Sequence, residues 1–89
     1  MKIKNGSDKD VSWFCFNSND RVKLIALASG DLPYGAPEKN YNPPANATGK
    51  YFVRFTDPGG GTEIAGGTLA KSHSITLKGK HGVYQIEVK

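Results

Sequence analysis

Lys50-Tyr51-Phe52-Val53-Arg54-Phe55-Thr56 decides the fold class. The stretch is dense in aromatic and β-branched residues, which suit a pleated, half-buried surface. Alternation sets Tyr51, Val53 and Phe55 on one face and Phe52 and Arg54 on the other. Turn chemistry bounds it on both sides. Asn42 to Gly49, with Pro43-Pro44, precedes it, and Asp57-Pro58-Gly59-Gly60-Gly61 follows. Three consecutive glycines cost too much entropy to hold in a strand, so the second stretch is a loop.

Toward the C-terminus the same rhythm continues. Thr62 to Leu69 reads as a strand weakened by Gly66-Gly67, a pair that marks a bulge or a close backbone approach. His73 to Leu77 follows, with Ile75 and Leu77 inward. Lys78 to Gly82 reads as a turn, and Val83 to Val88 closes the chain with Tyr84, Ile86 and Val88 on one face.

Toward the N-terminus, Glu38 to Tyr41 reads as a short edge strand and Asp31 to Pro37 as a proline-fixed turn. The run from Arg21 to Leu27 is ambiguous, because Asp20 could cap a helix and Gly30 could end one. Its shortness and the polar turn before it favour a strand. Val11-Ser12-Trp13-Phe14-Cys15-Phe16 is apolar on both faces. It is therefore either a central strand covered on both sides or a strand with an exposed contact face, with one of Trp13 or Phe14 turned away from the core. Ile3 lies in an opening strand ended by Asn5-Gly6-Ser7-Asp8, a favoured turn composition.

Seven or eight short strands at this spacing predict an all-β fold, a small antiparallel two-sheet β-sandwich forming one domain over residues 1–89. Gly and Pro recur too often for long helices. Single Cys15 cannot form an internal disulfide, so the core must hold the fold unaided. That favours the cytoplasm, or export without a signal peptide, since Met1 to Asn5 shows no signal-type apolar segment. No apolar run approaches the ~20 residues of a membrane-spanning helix.

Twelve Lys and Arg against eight Asp and Glu leave a net charge of +4. The cations are scattered, which argues against nucleic acid as the partner. His73 and His81 are the only histidines, and their spacing matches no zinc motif. No Gly-x-Ser-x-Gly elbow is present, and Cys15 sits mid-strand among apolar residues as an inert thiol would. The aspartates occupy turn compositions. Asp57 to Thr62 lacks the Gly-Lys-Ser/Thr ending of a phosphate loop. No catalytic residue, cofactor or metal is expected. Asn5-Gly6-Ser7 and Asn46-Ala47-Thr48 both match the glycosylation acceptor pattern.

The remaining signal is aromatic. Tyr34 and Tyr41 fall in turn or edge segments, where flat rings are offered to sugars, choline head groups or bases. Trp13, Tyr34 and Tyr41 are the candidate ligand contacts, with Arg54 as a candidate partner for an anion.

Ile3 to Val11, followed by an aromatic strand, resembles the first strands of actinoporin-like sandwich proteins, a group that includes fungal fruit-body lectins. Leu32-Pro33-Tyr34-Gly35, Tyr41 and Ala47 to Val53 are similar to that group's succeeding turn and strand. Together these cover about half the chain. The resemblance implies a related sandwich and a recognition role. The chain lacks the amphipathic N-terminal helix of the pore formers and their aromatic-rich lipid-reading loop, so pore formation does not carry over. The expected function is non-enzymatic recognition of a carbohydrate, a lipid head group or a protein. One alternative is a structural protein that uses the Val11 to Phe16 face as a two-fold homodimer interface; another is a weak nucleic-acid binder that stacks bases on Phe and Tyr rings of an open sheet.

Overall fold

A computed structural model describes residues 1–18 and 25–89. It contains β1 (Lys2–Ser7), β2 (Val11–Asn17), β3 (Ala28–Leu32), β4 (Lys39–Asn40), β5 (Lys50–Thr56), β6 (Glu63–Ala70), β7 (Ser74–Lys80) and β8 (Val83–Val88). These strands form two four-stranded sheets, ordered β4-β1-β7-β8 and β3-β2-β5-β6. The fold is the small all-β, two-sheet architecture expected. Among the described residues no helix is long and apolar enough to cross a membrane.

The core lies where the inner faces meet. Ile3, Ile75 and Leu77 enter it from one sheet; Val11, Trp13, Cys15, Leu32, Tyr51, Val53, Phe55 and Leu69 enter from the other. The two faces of β5 divide as its alternation predicts. Tyr51, Val53 and Phe55 are buried, and Phe52 and Arg54 look outward, half-buried. Buried Tyr51 donates its hydroxyl hydrogen to the Pro44 carbonyl, which ties the irregular 41–49 segment to the core.

Every described ladder is antiparallel except β1–β7, which runs parallel from Lys2↔Ser74 to Ser7↔Gly79. That pair joins strands from opposite ends of the chain, so no tight hairpin dictates their direction.

Three local expectations change. The Asn5-Gly6-Ser7 composition does not turn; it continues β1. Asn5 is 4% exposed, and its amide nitrogen donates to the carbonyls of Lys9 and Leu32, both at 2.8 Å. Its carbonyl oxygen accepts the backbone N–H and the hydroxyl of Ser7. Only Leu32 among these partners is distant in sequence; Ser7 and Lys9 lie within four residues, so Asn5 braces the end of β1 locally and ties it to β3. Gly6 suits the strand there, since a Cβ on it would sit tightly, 3.0 Å from the Leu77 carbonyl oxygen.

Half of the strand expected over Val22 to Leu27, residues 22–24, lies outside the described residues, and Ile25 to Leu27 are not in a strand. The described strand is β3, which starts at Ala28 and takes in Asp31 and Leu32, two residues whose neighbours suggest a turn. Pairing with β2 from Cys15↔Ala28 to Val11↔Leu32 recruits it, and Leu32 is buried as a result.

Lys78 to Lys80 likewise belong to β7, and the turn shrinks to His81-Gly82. Both residues have positive φ, 57° and 85°, as a two-residue type I′ hairpin requires. At Gly66-Gly67 the close-approach reading holds. The register shift lies earlier, between Phe55 and Thr56, whereas a Cβ on Gly66 would sit 2.6 Å from Phe52 Cζ.

Asn5→Asp keeps the side-chain shape but loses both donated bonds, one to the buried Leu32 carbonyl and one to the part-buried Lys9 carbonyl. A loss of about 2–4 kcal/mol is expected, read as a lower urea midpoint at unchanged slope. A loss under ~0.5 kcal/mol would show that water replaces those bonds at no cost.

Candidate functional site

β1, β3, β5 and β7 finish at the end of the sandwich where β2, β6 and β8 begin. Loops 8–10, 57–62 and 81–82 therefore gather at one end with the start of the 33–38 segment, which then runs back toward β4 beside the start of β1. Side chains bind them together. Asp8 accepts the backbone N–H of His81 at 3.0 Å and the Tyr84 hydroxyl at 2.7 Å. Those two bonds hold its carboxyl below the ordinary range. Lys9 pairs with Asp57, and Asp10 accepts the backbone N–H of Tyr34 at 2.8 Å.

Beside this end lies the outer face of the β3-β2-β5-β6 sheet. Register places Ser29, Phe14, Arg54 and Gly66 in one row across it. Asp31, Ser12 and Thr56 form the next row, and Phe16, Phe52 and Thr68 the row on the other side. The Ser12 hydroxyl donates to Asp31 Oδ1 at 2.9 Å and accepts the Gly59 N–H at 3.0 Å. That relay draws the 57–62 loop over the sheet, where Gly60 lies against the Phe14 ring: a Cβ on it would be 2.9 Å from Phe14 Cζ.

The result is a shallow cleft of about 350 Å³ lined by Ser12, Phe14, Ser29, Gly30, Asp31 and Gly59. A second cleft, about 380 Å³, shares Asp31 and Gly59 and continues past Asp10, Val11, Pro33 and Pro58. Together they form one groove from the Phe14 ring around Asp31 to the base of the Tyr34 turn.

The four candidate contacts do not converge. Trp13 is 2% exposed and belongs to the core. Its ring lies 5.6 Å from that of Tyr41, tilted by 47°, and half-buried Tyr41 packs against the core from the β4 side. Tyr34 is 68% exposed at the loop end. Arg54 stands over the Phe16 ring at 4.8 Å and the Phe14 ring at 5.9 Å, with Nε 3.8 Å from Glu63 Oε1. Its guanidinium thus covers rings and faces a carboxylate.

Phe14 and Asp31 line the groove although neither stands out as a contact residue in the sequence. For Phe14 a usable signal is present. The Val11/Trp13/Cys15 face carries no polar residue, while Ser12 marks the Phe14 face as the outward one. Asp31 is masked by its turn-like neighbours Pro33 and Gly35.

Burial pushes the Cys15 thiol up to about 11, which leaves it protonated and unreactive near neutral pH. Among the described residues no group of three or more His, Cys, Asp or Glu is placed to hold a metal ion. Neither acceptor-pattern asparagine is idle. Asn5 is buried, and the Asn46 amide donates to Asn17 at 2.7 Å and to the Lys50 carbonyl at 3.1 Å.

No protein-family model, curated protein or solved structure matches this chain.

Proposed function

We propose that the chain is a non-enzymatic recognition module that takes a neutral carbohydrate in the groove between Phe14 and Tyr34. The observation that carries this is the cleft lining: an aromatic ring beside Ser12, Ser29 and the Asp31 carboxylate. A sugar presents apolar C–H faces and a belt of hydroxyls. The ring of Phe14 meets the first and the polar rim meets the second. Asp31 engages one oxygen with Ser12, and a carboxylate has about four lone-pair sites, so capacity to accept sugar hydroxyls remains. Tyr34 does not line the groove, but it is exposed and follows groove-lining Pro33, from where its ring can reach a ligand that extends past the groove's end.

Charge narrows the ligand class. Asp10 and Asp31 both line the groove, so phosphates of nucleic acids or anionic lipids meet like charge there despite the net charge of +4.

A glycan array followed by calorimetric titration tests the reading, with phosphatidylcholine vesicles as a parallel arm. Phe14→Ala and Asp31→Asn are each expected to weaken sugar binding about tenfold, about 1.4 kcal/mol. Asn at 31 keeps an oxygen for Ser12, so the sheet survives. Absence of any glycan signal at high protein concentration, or binding indifferent to both variants, overturns it. Binding confined to vesicles assigns the groove to a choline head group instead.

A further inference from the structure

Among the described strands each sheet leaves two edges, and three of the four are guarded. β4 is two residues long and lies between Pro37 and Pro43-Pro44. β3 carries the Asp31 charge and stops at Pro33. β6 contains Gly66-Gly67 and an irregular register. Such devices prevent edge-to-edge pairing. β8 has none of them. It runs six residues with no Pro, Gly or register shift, and its one charge, Glu87, is neutralised by Lys78 and Lys89. It also carries two exposed valines, Val83 at 76% and Val88 at 40%.

We propose that β8 pairs antiparallel with β8 of a second copy about a two-fold axis, joining the two β4-β1-β7-β8 sheets into one. The backbone dictates the register. Ser74 and Lys89 exchange both hydrogen bonds, at 2.8 and 2.9 Å, so they form a hydrogen-bonded pair. Such pairs alternate along an antiparallel ladder. Glu87, Gln85 and Val83 therefore turn their N–H and C=O groups toward β7. Tyr84, Ile86 and Val88 turn theirs to the open edge.

Satisfying all three requires Ile86 to face Ile86 of the second copy and Tyr84 to face Val88 of the second copy. The side chains in that register are self-complementary. On the inner face Val88 gains cover from Tyr84. On the outer face Gln85 can donate to Glu87 of the second copy, and exposed Val83 lies along the aliphatic stem of Lys89. A one-residue slip would set the inner face against the outer and lose these matches.

Sedimentation equilibrium across a wide concentration range is expected to show a monomer–dimer equilibrium. Val83→Lys, at a position exposed enough to leave the fold intact, sets like charges opposite each other twice and should weaken the dimer about tenfold. Gln85→Cys chains mixed with Glu87→Cys chains should form an intermolecular disulfide, since these residues fall in a closely spaced non-hydrogen-bonded pair. A monomer at every concentration overturns the proposal. So does a dimer that ignores Val83→Lys and fails to cross-link, which would move the contact to another surface, such as the Phe14 face.

Discussion

Trp13→Ala is expected to cost about 3–5 kcal/mol, the range for deleting a large aromatic side chain from a packed core. A domain of 89 residues has roughly 4–13 kcal/mol of total stability, so the variant sits near the edge of folding. The indole is 2% exposed, packs against Tyr41 and fills the space between β2 and the β4 side of the sandwich. Gly30 supplies an internal control. It pairs with Trp13 across β2–β3, and a Cβ there would stand 2.8 Å from the indole nitrogen. Gly30→Ala should destabilise the native protein by about 1–3 kcal/mol through overpacking. In the Trp13→Ala background the same change meets open space and should cost little. Chemical denaturation followed by far-ultraviolet circular dichroism gives both numbers and their coupling. A Trp13→Ala cost below ~1 kcal/mol with no coupling to Gly30 would mean the indole is not a core element.

Gly79→Ala should be about as damaging, at roughly 3–5 kcal/mol, and for a different reason. Gly79 has φ of +123°, and a Cβ on it would come 2.0 Å from the Val83 carbonyl oxygen and 2.9 Å from Tyr84 Cα. Both obstacles are backbone, so no side-chain rotation relieves them. The β7–β8 ladder must open, and it carries Leu77 and Ile75 in the core. Gly82 isolates the conformational part of this cost. Its φ is +85°, and a Cβ there would meet nothing within 4 Å, so Gly82→Ala should cost only about 1–2 kcal/mol. Thermal unfolding of the two variants beside the native protein separates strain from collision. Equal melting temperatures for the two would rule out the collision at Gly79.

β5 shows how far alternation carries. Tyr51, Val53 and Phe55 share a face in sequence and lie buried together, because period-two geometry is a property of the extended backbone itself. Asn5 shows where it stops. Asn-Gly is a good turn pair in isolation, but carbonyls of Lys9 and Leu32 compete for the Asn5 amide, and only the fold brings Leu32 there. The groove was half legible. Tyr34 was marked by its proline-glycine setting. Trp13 is the expected contact on β2, and Phe14 is the one that lines the groove: both faces of Val11 to Phe16 are greasy, and Ser12 is the single polar residue that separates them.

The amino-acid order by itself determined that the chain is all-β, where its clearest strands lie and which of their faces is apolar. These follow from local backbone preference and side-chain periodicity. Tertiary structure alone decided that β1 runs parallel to β7, that Asp31 joins Ser12 and Gly59 at a groove, and that β8 is left as an unguarded edge. Each depends on which strands become neighbours, and that is settled by burial summed over the whole core rather than by any segment's own preference.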